Sequence, residues 1–398
     1  MLIALGLSCC AGPTGNVRIA SPEPSGIETL KIGLLLDSPA DRQFLNASQS
    51  AAVTLAVRQI NAAGGVNGKP VQVTSGQAGS PLNDQLTTIT ASQAAVVIGP
   101  TDSAAAVTAV AALNKTRTLL ISPANGDPAL SQLNSGGYYF RTAPSELLQA
   151  SVLARLAEQN SKNKKVAIVY QAGDYGRELN QKTTAALAAE GITSVVSVEA
   201  QNASEAAQKA KQSGAESVLL LAQDRAPELL AELSAAQVPS SAILLSDAAT
   251  ASYGAKLALG SLKDAQGILP GVIPSAEFQA QMLSVDPKLK SLAYAAESYD
   301  AVMLAALAAV QAGDSSGSSV ASRLIGVSGG KGQGQRCSTL SSCLSLLKQS
   351  KAIDYDGVSG PVAFDQNGDI SQANYVTYRY GETNLPVAEG VQLSAAAP

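Results

Sequence analysis

This chain has no histidine, no tryptophan and only four phenylalanines, and charged residues fill just 15% of its 398 positions. The missing imidazole excludes Ser-His-Asp triads, histidine metal sites and histidine acid–base catalysis. Basic and acidic residues nearly balance at 27 against 31, so there is no cationic footprint for nucleic acid. After the N-terminal residues no apolar run is long enough to cross a bilayer. No glycine-rich loop follows the first apolar strand and no paired-carboxylate motif stands out, which argues against an enzyme; no metal and no cofactor is expected. Cysteine is scarce too: four residues, in two close pairs.

What the chain does have is length, 46% apolar residues, and strands alternating with helices. The length calls for two or three domains. The organising stretch is 94–130. The apolar strand Ala95-Val96-Val97-Ile98 breaks at Gly99-Pro100, and the polar turn Thr101-Asp102-Ser103 leads into a small-residue helix over 104–113. A second apolar strand, Thr118-Leu119-Leu120-Ile121, ends in the turn Ser122-Pro123-Ala124-Asn125-Gly126. Two parallel strands finishing side by side present their loops where open α/β sheets bind ligands. Ser103 is expected to cap the helix, where uncovered N–H groups suit a small carboxylate, with the backbone of 124–126 facing it.

Taken in order, residues 1–10 carry an apolar run before Ser8-Cys9-Cys10, similar to a bacterial lipoprotein processing box with Cys10 as the lipidated residue. The lysine or arginine that normally precedes such a run is absent. Residues 11–28, rich in Gly, Pro and Ser, read as a tether. A buried-type strand at 31–36 and a helix to 63 follow, ended by Gly64-Gly65. After Arg141 a second βα series runs to about 268, so two similar lobes with parallel sheets covered on both faces are expected. From 269 the pattern turns helical, with a long Ala-rich helix over 294–312. Cys337 and Cys343 flank a short segment and would form a local disulfide in an exported protein. Near the C-terminus, Asp365-Gln366-Asn367-Gly368-Asp369 has the alternation of a calcium loop but a misplaced glycine and no terminal Glu. It reads as a hairpin turn, with 374–380 as the returning strand.

Several short pieces, in this order, resemble one family. They are Lys31-Ile32-Gly33, the helix end Ile60-Asn61-Ala62-Ala63-Gly64-Gly65-Val66-Asn67-Gly68, Ile98-Gly99-Pro100 with Ser103, and Ser122-Pro123-Ala124. Tyr139-Phe140-Arg141, Asp174-Tyr175-Gly176, Ser298-Tyr299-Asp300-Ala301 and Gly357-Val358-Ser359-Gly360 with Phe364-Asp365 complete the set. The chain resembles the type I periplasmic binding proteins of ABC transporters, in the branch that binds leucine, isoleucine, valine and amides. The resemblance implies an α/β fold of two doubly wound parallel-sheet lobes joined by a three-crossover hinge. Lobe 1 would be 29–143 plus 269–353, and lobe 2 would be 144–268 plus 354–398. It implies no catalysis, a monomer, an amino acid or amide as ligand, and a membrane permease as partner, with the protein lipid-anchored at the extracytoplasmic face or periplasmic. The same fold also serves as a ligand sensor that signals to a partner and imports nothing.

By the same resemblance Ser103 and the backbone at Ala124 would hold a ligand carboxylate, Tyr175 would close over the ligand, and Asp247 would take an ammonium. Two departures stand out. Gly126 occupies the place of a hydroxyl residue, and Gln223-Asp224 stands where many relatives have an aromatic. Phe44 takes the place of a tyrosine in the first loop. A polar ligand is expected from these changes.

Overall fold

The computed structural model describes residues 24–38 and 43–395, the side chains of Gln43 and Phe44 excepted. The expected lipidation residue Cys10, and with it 1–10, lies outside the described residues.

The first lobe opens with β1 (Lys31–Leu34), α1 (Gln43–Ala62), β2 (Gln72–Ser75), α2 (Leu82–Ala91) and β3 (Val96–Ile98). It continues with α3 (Ser103–Leu113), β4 (Leu119–Ser122) and β5 (Tyr139–Arg141). The five strands run parallel in the order β2-β1-β3-β4-β5. Successive side chains leave a strand on opposite faces. Val96, Ile98, Leu119 and Ile121 therefore enter the core that also holds Val53 and Ile60 of α1. Val97, Leu120 and Tyr139 enter a second core with Leu86 and Ile89 of α2 and Val110 of α3. Both faces are covered, which is why these strands read as continuous apolar runs.

After the first crossover come α4 (Ala150–Asn160), β6 (Lys165–Tyr170), α5 (Asp174–Ala189), β7 (Ser194–Glu199) and α6 (Ala203–Gln212). Then follow β8 (Ser217–Leu221), α7 (Ala226–Ala235), β9 (Ile243–Leu245) and β10 (Gln266–Pro270). The same two-faced logic holds. Val166, Ile168 and Leu219 face α4 and α5, while Ala167, Val169 and Leu220 face α6 and α7.

The chain then returns to the first lobe with α8 (Ala276–Val285), α9 (Ala295–Ala312), α10 (Gly317–Val327), β11 (Gln335–Cys337) and α11 (Leu340–Lys348). Helix α9 is buried on every side from Asp300 to Ala309, as its all-round apolar, Ala-rich sequence demands. Cys337 and Cys343 form the expected local disulfide, with Cα atoms 5.3 Å apart. Strands β12 (Ile353–Gly357) and β13 (Gly360–Pro361) follow and make a small sheet with β11.

This small sheet belongs to the packing of the first lobe, although 354–398 was assigned from the sequence to the second. The reason is Asp300. Its buried carboxylate accepts from Tyr355 Oη (2.7 Å), Val358 N (3.0 Å), Ser359 N (2.7 Å) and Ser359 Oγ (2.6 Å). Residues 364–370 stay with the same lobe. Phe364 packs edge-on against Phe140 at 5.0 Å, and buried Arg141 holds Asp369 at 2.6 Å. The Asn367-Gly368 turn is present, closing a bridge between Phe364 and Ile370. Only β14 (Gln372–Tyr380) and β15 (Pro386–Ala395) join the second sheet, in the order β15-β14-β10-β9-β8-β6-β7. It is parallel from β6 to β10 and closes with antiparallel β14 and β15.

Three passages thus join the lobes: 142–149, Gly271 and 371–372. They are laced together, since Thr142 Oγ1 donates to Glu297 O at 2.9 Å, Gly271 N to Asn374 O at 2.9 Å, and Asn374 Nδ2 to Ser359 O at 3.2 Å.

Candidate functional site

The carboxyl ends of both parallel sheets open onto one cleft of about 640 Å³. The first lobe supplies the loop after β3 (101–104), the loop after β4 (124–129) and Tyr294 at the head of α9. Facing them are Glu146 of the first crossover, Asp174, Tyr175 and Glu178 at the start of α5, and Gln223 after β8.

The loop after β3 is shaped by close approach. Gly99 has φ +92°, and a Cβ there would lie 2.2 Å from Leu35 O and 2.3 Å from Gln49 Nε2, so glycine is required. Two carboxylates of the chain then occupy the loop's donors. Asp37, just beyond β1, accepts from Thr101 N and Asp102 N, both at 3.1 Å, and from the Thr101 hydroxyl. Asp102, not Ser103, is the N-cap of α3: its side chain accepts from Ala104 N (2.7 Å) and Ala105 N (3.2 Å). Either residue type caps well, and Asp102 adopts the extended backbone that the position requires. Ser103 is left as the first helical residue, on the cleft wall.

Across the cleft, Tyr175 Oη donates to Asp247 Oδ1 at 3.0 Å and lies 3.1 Å from Ser246 Oγ. Asp247 follows β9. Its Oδ1 also accepts from Gln149 Nε2 (2.7 Å) and Ala248 N (2.6 Å), while its own N–H donates to Gln149 Oε1 at 2.9 Å. Gln149 of the first crossover thus grips both the backbone and the side chain of Asp247. Burial pushes the Asp247 carboxyl upward, and the bonds from Gln149, Ala248 and Tyr175 pull against it. Burial followed by the Asp247 charge pushes the Tyr175 phenol well above its ordinary value.

Of the residues singled out in the sequence, Ser103, Ala124, Gly126 and Tyr175 line the cleft. Asp247 stands behind the wall, joined to it through Tyr175. Asp224 points elsewhere: it is exposed and accepts from Gln171 Nε2 at 2.6 Å, and its neighbour Gln223 lines the cleft instead. Phe44 lies in the first turn of α1, and its side chain is outside the described residues.

Sequence reasoning passed over Glu146, Gln149, Asp127 and Tyr294. Glu146 packs over Gly126: a Cβ at 126 would lie 2.9 Å from Glu146 Cγ and 3.1 Å from Oε1. The space left by the absent side chain at 126 is taken by one that arrives from the crossover. The Glu146 carboxylate has no hydrogen-bond or ion-pair partner among the described residues. Burial, then the charges of Asp247 and Asp127, push it up to about 8 against the pull of Arg141. The signal that could have found it was Pro144-Ser145-Glu146, an acid at a crossover directly after the first sheet.

Known proteins share this arrangement of lobes. The model of the receptor family ligand binding region matches residues 48–383. The substrate-binding protein BasB of a chemotactic signal transduction system in Halobacterium salinarum is 26% identical over 349 residues, 83% of this chain and 81% of that protein. The Leu/Ile/Val-binding protein BraC3 of Rhizobium johnstonii is 31% identical over 157 residues, 39% of this chain and 41% of that one. Among solved structures, an ABC transporter substrate-binding protein from Desulfitobacterium hafniense in complex with Leu superposes with a TM-score of 0.65 at 20% identity. That match covers 91% of this chain and 100% of the other, and it establishes the fold.

Proposed function

Because the chain belongs to the family of receptor ligand-binding regions, with the type I periplasmic-binding-protein fold and no catalytic role, we propose that it captures a small polar solute for a membrane importer. The solute would be an amino acid, an amide or a related amine, held between the lobes. The observation that carries this reading is the single cleft in which Ser103, Ala124 and Gly126 of one lobe face Tyr175 of the other, with Glu146 of the crossover lying against Gly126. Only a closed form touches a ligand on both sides, so binding shifts the open–closed equilibrium by the difference in contact energy. The closed form then docks on an ABC permease. Cys10 would tether the protein by a lipid to the extracytoplasmic face of the membrane, and no helix among the described residues is long and apolar enough to cross it. A micromolar affinity, about 8 kcal/mol, suits capture and release.

A second reading has one observation in its favour, the chemotactic role in the name of the relative that covers most of the chain. In it, closure signals to a receptor instead of feeding a permease. Deleting the gene separates the two: loss of uptake with intact taxis supports import, and the reverse supports sensing.

Titration calorimetry against a panel of amino acids and amides tests the clamp. Ser103→Ala and Tyr175→Ala are each expected to weaken the responding solute by about tenfold, one lost hydrogen bond or ring contact. Unchanged affinity in both would remove the cleft as the site.

A further inference from the structure

The charge of the cleft narrows the class of solute. Among the described residues that line it, five are acidic (Asp102, Asp127, Glu146, Asp174 and Glu178) and none is Lys or Arg, in a chain where the two signs nearly balance. Asp174 pairs with Arg177 at 2.8 Å, while Asp127, Glu146 and Glu178 form no ion pair among the described residues. The nearest buried cation, Arg141, is spent on Asp369, on the carbonyls of Asn125 and Asp127, and on Ser131.

The opposite wall repeats the bias. A helix N-terminus is an anion site when its N–H groups are open. Here Asp102 and Asp37 already hold the N–H groups of residues 101, 102, 104 and 105. An incoming carboxylate finds Ser103 and the backbone of Gly126, next to those two carboxylates. An incoming cation meets Glu146, which has no partner among the described residues and already feels the charges of Asp247 and Asp127.

We propose that the solute of this cleft carries net positive charge, and that Glu146, standing in the space opened by Gly126, is the side chain that selects it. The inference rests on the solute-binding reading above. Its chemistry is that of a protonated amine or guanidinium, whose N–H groups would supply the partner that Glu146 lacks. The position of the Glu146 carboxyl near 8 adds a signature. In the free protein at pH 7 the carboxyl is mostly protonated, and an arriving cation favours the charged form, so binding releases its proton. The groups around it are Asp127, Asp247, Tyr175, Tyr375 and Arg141, with Asp102, Asp174 and Glu178 further along the walls.

Calorimetry with matched pairs tests this: L-lysine against L-norleucine, and pentylamine against pentanamide, each in two buffers of different ionisation enthalpy at pH 7. The cation of each pair is expected to bind at least about tenfold tighter, a single charge pair in a shielded site, with release approaching one proton. In Glu146→Gln the preference closes to within about threefold and the proton release disappears. Gly126→Ser, which displaces Glu146 and restores a hydroxyl, moves selectivity the same way, and circular dichroism confirms that both variants fold. A neutral partner that binds as tightly as its cation overturns the inference and leaves solute binding standing. So does a Glu146→Gln protein that keeps its preference. If neither cation binds while a neutral amino acid or amide of the panel does, the charge preference falls and capture stands. If nothing in the panel binds, both readings fall together.

Discussion

The hinge and the cleft each hold buried acids, and the two regions treat them in opposite ways. At the hinge, Asp300 has four donors within 3.0 Å, and Asp369 has a buried guanidinium. In the cleft, Glu146 has none among the described residues. Glu297, at the start of α9 beside the hinge, is the intermediate case: almost fully buried, pushed up to about 7 by burial and then by Asp300, and held down only by its own backbone N–H. The difference teaches that burial alone does not mark an acid as functional. The donors do: an acid whose lone pairs are filled by the chain holds the fold, and one whose lone pairs are empty in a cleft is free to meet a ligand.

The comparison breaks most visibly at Asp300. Asp300→Ala leaves the Val358 and Ser359 N–H groups and two hydroxyls without their acceptor, and denaturant melts are expected to show a loss of about 4 kcal/mol. A loss below about 1 kcal/mol would mean the segment is held by packing and not by that carboxylate.

Glu297→Gln sharpens it. A carboxyl whose folded value is raised contributes stability that is complete below its unfolded value and is lost as pH rises through the folded one. For Glu297 that window runs from about 4.5 to about 7, so the variant should match the parent at low pH and exceed it above 7 by on the order of 3 kcal/mol. Parallel stability curves across the window would show that the side chain finds water.

The smallest effect belongs to the cleft. Glu146→Gln should gain on the order of 1 kcal/mol above pH 8 and nothing below about 4.5, because cleft water reaches the carboxylate and screens it. Stability lost on this change, at any pH, would place Glu146 among the structural acids.

Much of the architecture could be read from local pattern. The small-residue helix expected at 104–113 and the strand at 118–121 fall within a residue of their places, since each depends on its own run of residues. The tail was harder. Residues 354–361 carry no local sign of the lobe they join, and only the distant Asp300 decides it. In the cleft, Ser103 and the backbone at Gly126 could be named from their loops, and Tyr175 from the family resemblance. Glu146 offered only its place after Pro144-Ser145 at a crossover, because the groups that share its space and act on its charge lie at 126, 127 and 247. The choice between Asp102 and Ser103 as the cap turned on one backbone angle that neighbouring residues leave open.

The lacing of the three passages has a mechanical consequence. With residues 355–370 pinned to one side by Asp300 and Arg141, the molecule resembles two stiff boards bound along a narrow spine at 142–149, 271 and 371–372. Bending is then confined to that spine, and the far edges travel furthest. Spectroscopic rulers fixed at Val73 and Val196, exposed on the edge strands β2 and β7, would magnify a few degrees of folding into a readable change of length.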